Sequence, residues 1–446
     1  MNILLIVHQF FPKDRTGTEV LTLELARGLK GRGHQVQILS GAPEKVISGT
    51  NKCWLTQDNY EGFIIHRMHY ITNNLRDRIP LHLSAADRIG VVRGLASRLT
   101  PDIVQFNHIM GFSAQAIPEI HRMGIPVIFT PTDFWTVCPI TTMFRPGDKR
   151  PCTNNIDPAN CLSCIKSIPR WASRIALMVG KLPSKFRFGR IDSLNSLSKR
   201  LTTMVQCVNE ADRIFPATRF LANMLINSGV EANRVRVIPY GIDIGDLPPQ
   251  IQIPTRFSDT IPLRIGFIGT FSEAKGPHVI LNALSLLGDK ANRVTFDIYG
   301  KINKLDPYYQ MLQEKMKTLN SEVHFKGTFP PERMGEVLRS FHVIVVPSLW
   351  YESAPLVLCS ALKAGTLVLI SRLEGMTELI DEGGNGFSFP AGDADQLKKM
   401  IVNILENPSI LMEIQRNTKV SERSASTYTR EIESEYLEVI GKNPKG

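Results

Sequence analysis

At 446 residues the chain is too long for one ordinary domain and suits two or three. A hydrophobic fraction of 43% and a charged fraction of 21% exclude a chain disordered by composition. The net charge of +10 favours anionic partners, among them nucleotides, phosphates and acidic lipid, or serves solubility alone. In chain order, NILLIV is a continuous apolar run, as expected of a buried parallel strand. A helix is expected from about Thr18, with Leu21, Leu25 and Leu29 on one face and Gly33 at its end. VQIL, FIIHRM, DIVQFN, PVIFT, RIFPA and RVRVIP read as further strands. Strands alternating with helices imply parallel βαβ units.

Pro248, Pro249, Pro254 and Pro262 make 246–262 a linker, because a regular element would not tolerate them. The alternation restarts with LRIGFIG, VTFDIYG, VHFKG, VIVVPS, LVLIS and NGFSFP. Ile432, Tyr436, Val439 and Ile440 then share the stripe of a last helix. The expected organisation is an N-terminal domain over 1–245 and a C-terminal domain over 263–425. A helix over 426–446 is expected to pack back on the N-terminal domain. Both domains read as α/β, Rossmann-like, doubly wound parallel sheets facing across a cleft, with ligands at the carboxyl ends of their strands.

Three strand-to-helix junctions carry chemistry. Thr16-Gly17-Thr18 follows the first strand, where a glycine lets the backbone approach a phosphate; the same glycine also suits any tight βα turn. Phe267-Ile268-Gly269-Thr270, followed by Lys275-Gly276, opens the second domain alike, and Lys275 there is a point charge for a diphosphate. Ser348 to Leu356 follows VIVVP. Glu352 is positioned to accept hydrogen bonds from sugar hydroxyls, and amides at the start of the next helix to hold a phosphate. A helix-start glutamate can equally serve stability alone.

The run from Glu352 through Ala364-Gly365-Thr366, then Glu374-Gly375-Met376-Thr377-Glu378-Leu379-Ile380 and Gly384-Asn385-Gly386, resembles the donor half of glycosyltransferase family 4. Thr16-Gly17-Thr18-Glu19, Gly33-His34 and Tyr240-Gly241-Ile242-Asp243 resemble family positions in the first half. The resemblance implies a GT-B fold and a retaining hexosyltransferase, with front-face attack, that uses a nucleotide sugar and no catalytic metal. It implies a saccharide or lipid-linked acceptor in polysaccharide or glycoconjugate biosynthesis. Lys275, Glu352 and His108 match catalytic positions. Gly17, Thr18, Gly269, Pro355, Leu356, Val357 and Glu378 resemble donor-pocket positions. Two positions depart from the pattern. Thr270 stands where the family usually has arginine, and Ser360 where it has a second glutamate for the ribose. These departures leave open a catalytically weak binding partner, and a nucleotide-sugar epimerase of the same fold is a further alternative.

An insertion over about 134–205 carries two more features. Cys138, Cys152, Cys161 and Cys164 fall close together, the last pair as C-x-x-C, which suits a structural zinc; four free thiols or a redox pair are the alternatives. The segment resembles an insertion in a subset of the family. Asp133 and Trp135, just before it, are candidates to face the acceptor. From Lys166 to Arg200, basic residues alternate with Trp171, Ile175, Met178 and other apolar side chains, as on a segment lying on anionic lipid. No nucleic-acid motif accompanies them. Without a visible secretory signal or membrane span, a cytoplasmic protein is expected, peripheral on the inner membrane face.

Overall fold

The computed structural model describes residues 1–44, 53–71, 83–145, 147–148, 150–152, 157–166, 169–180, 192–417 and 423–442. The chain divides into two compact units. The first comprises Met1–Asp148, Cys152–Gly241 and Ala425–Gly446; the second comprises Ile242–Ser424 with Lys149–Pro151.

The first unit is built on β1 (Asn2–Val7), β2 (Gln35–Glu44), β3 (Trp54–Tyr60), β4 (Phe63–Ile71), β5 (Ile103–Phe106), β6 (Val127–Phe129) and β7 (Arg213–Ile214). Their order is β3-β4-β2-β1-β5-β6-β7. All neighbours are parallel except β3 and β4. Strand β3 was not foreseen: WLTQDNY is mostly exposed and carries no apolar face to betray it. RVRVIP contributes only a bridge from Val235 to Ile214. Its amides do bond to Ile214 and Pro216, but Pro216 and Pro239 lack the N–H groups that would complete a ladder.

Helix α1 (Gly17–Gly31) follows β1. It starts on a capping box in which Thr16 and Glu19 satisfy each other's groups. The C-terminal helix, Ala425–Lys442, lies against it. A Cβ on Gly28 of α1 would fall 2.2 Å from the Thr429 hydroxyl, so glycine permits this close approach. Glu433 receives hydrogen bonds from Arg32 at 2.6 Å and pairs with His34 at 2.7 Å. The buried Tyr436 hydroxyl donates to Gln105 on β5. Gln105 donates to Asn107 at 2.6 Å, and Asn107 to Thr22 of α1 at 2.9 Å. The last helix is thereby tied, through β5, to the helix that begins at Gly17.

The second unit holds β8 (Leu263–Ile268), β9 (Val294–Tyr299), β10 (Glu322–Gly327), β11 (Val343–Val346), β12 (Leu367–Ser371) and β13 (Gly386–Phe389), ordered β10-β9-β8-β11-β12-β13 and parallel throughout. Residues 246–262 form no regular element and lie on this unit. Phe257 enters its core, and the Ile251 amide bonds to Arg339. In both sheets the chain reverses its winding beside the first strand of the unit, at β1/β5 and at β8/β11. Ligands in doubly wound sheets gather at the carboxyl ends of such a pair.

Candidate functional site

The carboxyl end of β8 leads through Gly269 and Thr270 into a short turn, Glu273–Lys275, and then into the helix Pro277–Ser285. Gly276 joins turn and helix with a φ of 73°, and a Cβ there would meet the Pro347 carbonyl oxygen at 2.1 Å. Only glycine fits both constraints. The loop after β11 is drawn alongside, because the Leu349 amide donates to the Ala274 carbonyl at 2.7 Å.

This pairing of loops brings Lys275 and Glu352 together, 77 residues apart in sequence and 2.6 Å apart in space. One oxygen of Glu352 also accepts from the Ser348 hydroxyl at 2.8 Å and the Trp350 indole at 2.7 Å. Lys275 lies 5.3 Å from the Trp350 ring centre. The side chains keep 27% and 12% of their exposure, so the pair is shielded yet reachable. The helix Leu356–Ala364 starts just beyond, capped by Pro355, whose side chain cannot bond the first-turn amides. Leu356 and Val357, at that start, are partly exposed. An ammonium beside first-turn amides is a ready site for a phosphoryl anion.

Of the two departures, Thr270 is exposed at the loop edge and Ser360 is buried within the helix. Glu378 lies exposed in a short turn, Thr377–Leu379, after β12.

The first unit has its own cluster at the ends of β1 and β5. His108 is 3% exposed, and both of its ring nitrogens are engaged. Nδ1 accepts from the Met110 amide at 2.9 Å, which leaves Nε2 to donate to Asp133 at 2.9 Å. The other oxygen of Asp133 accepts from the Trp135 amide at 2.8 Å. Asp133 remains 34% exposed, so the carboxylate, rather than the imidazole, is the accessible member of the dyad. Burial pushes the Asp133 carboxyl up, but the electrostatic pull and hydrogen bond of His108, with the bond from the Trp135 amide, outweigh it and hold the group below the usual range. Gly17 is exposed, and the Thr18 hydroxyl lies 2.8 Å from that of Thr132, beside the dyad.

Sequence reasoning missed His8. Its ring packs against that of His108, tilted by 40° with centres 4.2 Å apart, and its Nε2 lies 3.7 Å from the fully buried Glu19. Burial, and then the neighbouring His108, keeps the His8 pKa well below normal. Burial raises that of Glu19. The available signal was its place, one residue past β1 and level with His108 past β5.

Cys138, Cys152, Cys161 and Cys164 are free thiols in the insertion. Among the described residues, no three His, Cys, Asp or Glu side chains form a ready-made metal-binding group. Lys181, Lys185 and Arg187 of the basic stretch lie outside the described residues. The helix Arg170–Gly180 carries Trp171, Ile175 and Met178 exposed beside Arg170 and Arg174. No described helix is long and apolar enough to cross a membrane.

Comparisons with known proteins bear on the fold and the family. Residues 15–155 match the model described as Glycosyltransferase Family 4, and residues 254–421 match Glycosyl transferases group 1. The chain is 31% identical to a D-inositol 3-phosphate glycosyltransferase of Corynebacterium jeikeium, over 48% of this chain and 54% of that protein. It is 24% identical to the amylovoran biosynthesis glycosyltransferase AmsK of Erwinia amylovora, over 52% and 56% respectively. The chain thus spans about half the length of the curated relatives it matches. Among solved structures, Anabaena HepE in complex with UDP and glucose superposes with a TM-score of 0.63 at 16% identity, covering 97% of this chain and 98% of that one. The sucrose-phosphate synthase of Thermosynechococcus elongatus gives 0.66 at 14% identity, covering 99% and 100%.

The fold is the GT-B architecture of those structures. Two family models, one on each half, make the assignment narrower: the chain belongs to glycosyltransferase family 4.

Proposed function

We propose that the chain transfers a hexosyl group from a nucleotide-sugar donor to a saccharide or lipid-linked acceptor, with retention of configuration, in polysaccharide or glycoconjugate biosynthesis. One observation carries this: the Lys275–Glu352 pair at 2.6 Å, beside the start of Leu356–Ala364. Lys275 and the amides of Leu356 and Val357 neutralise charge growing on the leaving diphosphate, so no catalytic metal is needed for that role. Glu352, oriented by Ser348 and Trp350, holds donor hydroxyls. Gly269, Thr270 and Glu378 complete the donor side, and the turn at Gly17 and Thr18 gives the first unit a phosphate-binding position of its own. Asp133, steadied by His108 and Trp135, accepts a hydrogen bond from the acceptor hydroxyl. UDP and UDP-glucose in complexes of HepE, and glucose-6-phosphate in that of a trehalose-phosphate synthase, support donor and acceptor classes of this kind.

The exposed face of Arg170–Gly180, apolar residues beside two arginines, suits peripheral attachment to anionic lipid on the inner membrane face. Salt-sensitive binding to anionic vesicles, weakened by Arg170→Glu with Arg174→Glu, is the expected result.

The main test is thermal-shift screening against nucleoside diphosphates and their sugars, followed by a transfer assay with each ligand that stabilises the chain. A stabilising donor, turned over by the wild type and not by Lys275→Ala, is expected. A donor bound tightly but never transferred to any acceptor tested would favour the second reading, a binding partner. Ser360 motivates that reading, being too short and too buried to hold ribose hydroxyls as glutamate would.

A further inference from the structure

The edge hairpin of the first unit, β3 and β4, carries an arrangement of side chains that the donor and acceptor clusters do not use. Trp54, the first residue of β3, keeps 42% of its surface exposed. Trp54 and His69 are cross-strand partners, and their rings stack with centres 5.0 Å apart and planes 6° apart. His69 is itself fixed: Nδ1 donates to Glu44 at 3.0 Å, and Nε2 pairs with the Thr56 hydroxyl at 2.7 Å. One indole face is thus covered by a ring that cannot turn. The exposed area is the opposite face and its rim, and among the described residues no other ring stacks there. Glu44, at the end of β2, is 48% exposed, and its second oxygen is unengaged among the described residues. Edge strands are usually blunted with charge, and a large apolar face left open to water forfeits the stabilisation of burying it.

Topology puts this platform at the ligand end of the sheet. Strand β4 is parallel to β2, and β3 is antiparallel to β4, so the start of β3 lies beside the carboxyl ends of β2 and β4. The loop after β1 reaches across to the same hairpin. Arg67, the cross-strand partner of Thr56, donates to the Phe11 carbonyl at 2.6 Å, and Tyr60 of β3 stacks on Phe11 with ring centres 5.2 Å apart. That loop begins at His8, which packs against His108. In the order β3-β4-β2-β1, Trp54 stands three strand spacings from β1, about 14 Å.

A pyranose ring presents a face of C–H bonds, which packs on the electron-rich face of an indole, and hydroxyls around its rim, which donate to a carboxylate. A flat apolar surface with a hydrogen-bond acceptor beside it is the complement of such a ring. We propose that Trp54 and Glu44 form a remote acceptor subsite, which holds an uncharged sugar unit of an oligosaccharide whose reacting end lies at Asp133. The proposal rests on the reading of the acceptor as a saccharide and narrows it to a chain rather than a single sugar. The exposed carboxylate of Glu44 repels uronate units, which fixes the ligand class as neutral hexose. The pre-stacked His69 ring spares the complex the cost of ordering the indole on binding.

The test uses the full-length chain without any donor, so it does not depend on the donor assignment. N-bromosuccinimide oxidises exposed indoles, and mass spectrometry maps which ones react. Trp171, 68% exposed, is the internal control. A hexasaccharide of glucose, mannose or galactose is expected to slow oxidation of Trp54 and not of Trp171, and the matching monosaccharide to protect less. By calorimetry, Trp54→Ala is expected to bind the protecting hexasaccharide about tenfold more weakly, and Glu44→Ala about threefold more weakly. Protection by none of the three hexasaccharides, equal protection of Trp171, or protection by a galacturonate hexasaccharide alone overturns the proposal. So does unchanged affinity in a folded Trp54→Ala chain. Should that variant fail to fold, the wild-type protection pattern decides. Failure of the transferase reading shows elsewhere, as the lack of any stabilising donor in the thermal-shift screen.

Discussion

The two units repeat one construction, a loop at the end of the central strand feeding a helix, yet they equip it in opposite ways. In the second unit the site is an open charge pair. Lys275, Ser348 and Trp350 all converge on one oxygen of Glu352, and both charged groups remain reachable. In the first, His108 is enclosed and fully hydrogen-bonded, His8 packs against it with Glu19 alongside, and Asp133 is the most exposed of the group. The difference suits binding a polyanion at one end, and fixing the direction of a single acceptor at the other. Charge must be accessible to neutralise charge, whereas direction is set by rigid, saturated networks.

The sharpest way to break this contrast is Glu352→Gln. It leaves the shape but removes the charge that pairs with Lys275. Transfer is expected to fall by about a hundredfold or more, and a rate within a few-fold of wild type would remove Glu352 from the chemistry. Next in size is Gly276→Ala. The left-handed φ and the collision with Pro347 should cost about 1–3 kcal/mol of stability and displace Lys275. Chemical denaturation together with donor affinity reads both effects; an unchanged affinity would separate the turn from the donor site.

In the first unit, Tyr436→Phe strips the buried Gln105 of a donor and is expected to cost about 1–2 kcal/mol in urea melts. A neutral result would mean that the last helix is held by its apolar face and surface ion pairs alone. The smallest effect is a pH dependence. Because the folded pKa of His8 is depressed, the unfolded chain binds a proton that the folded chain refuses. Stability contributed by neutral His8 is complete above the unfolded value of about 6.5 and declines below it, by up to about 1.4 kcal/mol per pH unit. His8→Gln should flatten that slope between neutral and mildly acid pH; an identical slope in the variant would show that His8 does not titrate as its burial implies.

Much of the second unit was legible in the sequence, for a physical reason. Parallel strands buried on both faces must be continuously apolar, so VIVV and LVLIS announce themselves, and the residues just past them are at the ligand end. Lys275 and Glu352 were found by that rule and by their resemblance to the family pattern. Strand β3 was not, since an exposed edge strand needs no apolar alternation. His8 was passed over because nothing local marks it: its importance comes from the adjacency of β1 and β5, about a hundred residues apart in sequence.

Sequence by itself determined the repeating βα rhythm, the two-unit plan, the family, and the end of each sheet where chemistry gathers, because these follow from local apolar periodicity and from residue types at strand ends. Only the tertiary structure decided that Lys275 meets Glu352, that Asp133 rather than His108 reaches the surface, and that Arg200 is buried with no carboxylate partner among the described residues. Each of those depends on which distant segments pack together, and burial and pairing energies belong to the packed whole rather than to any stretch of chain.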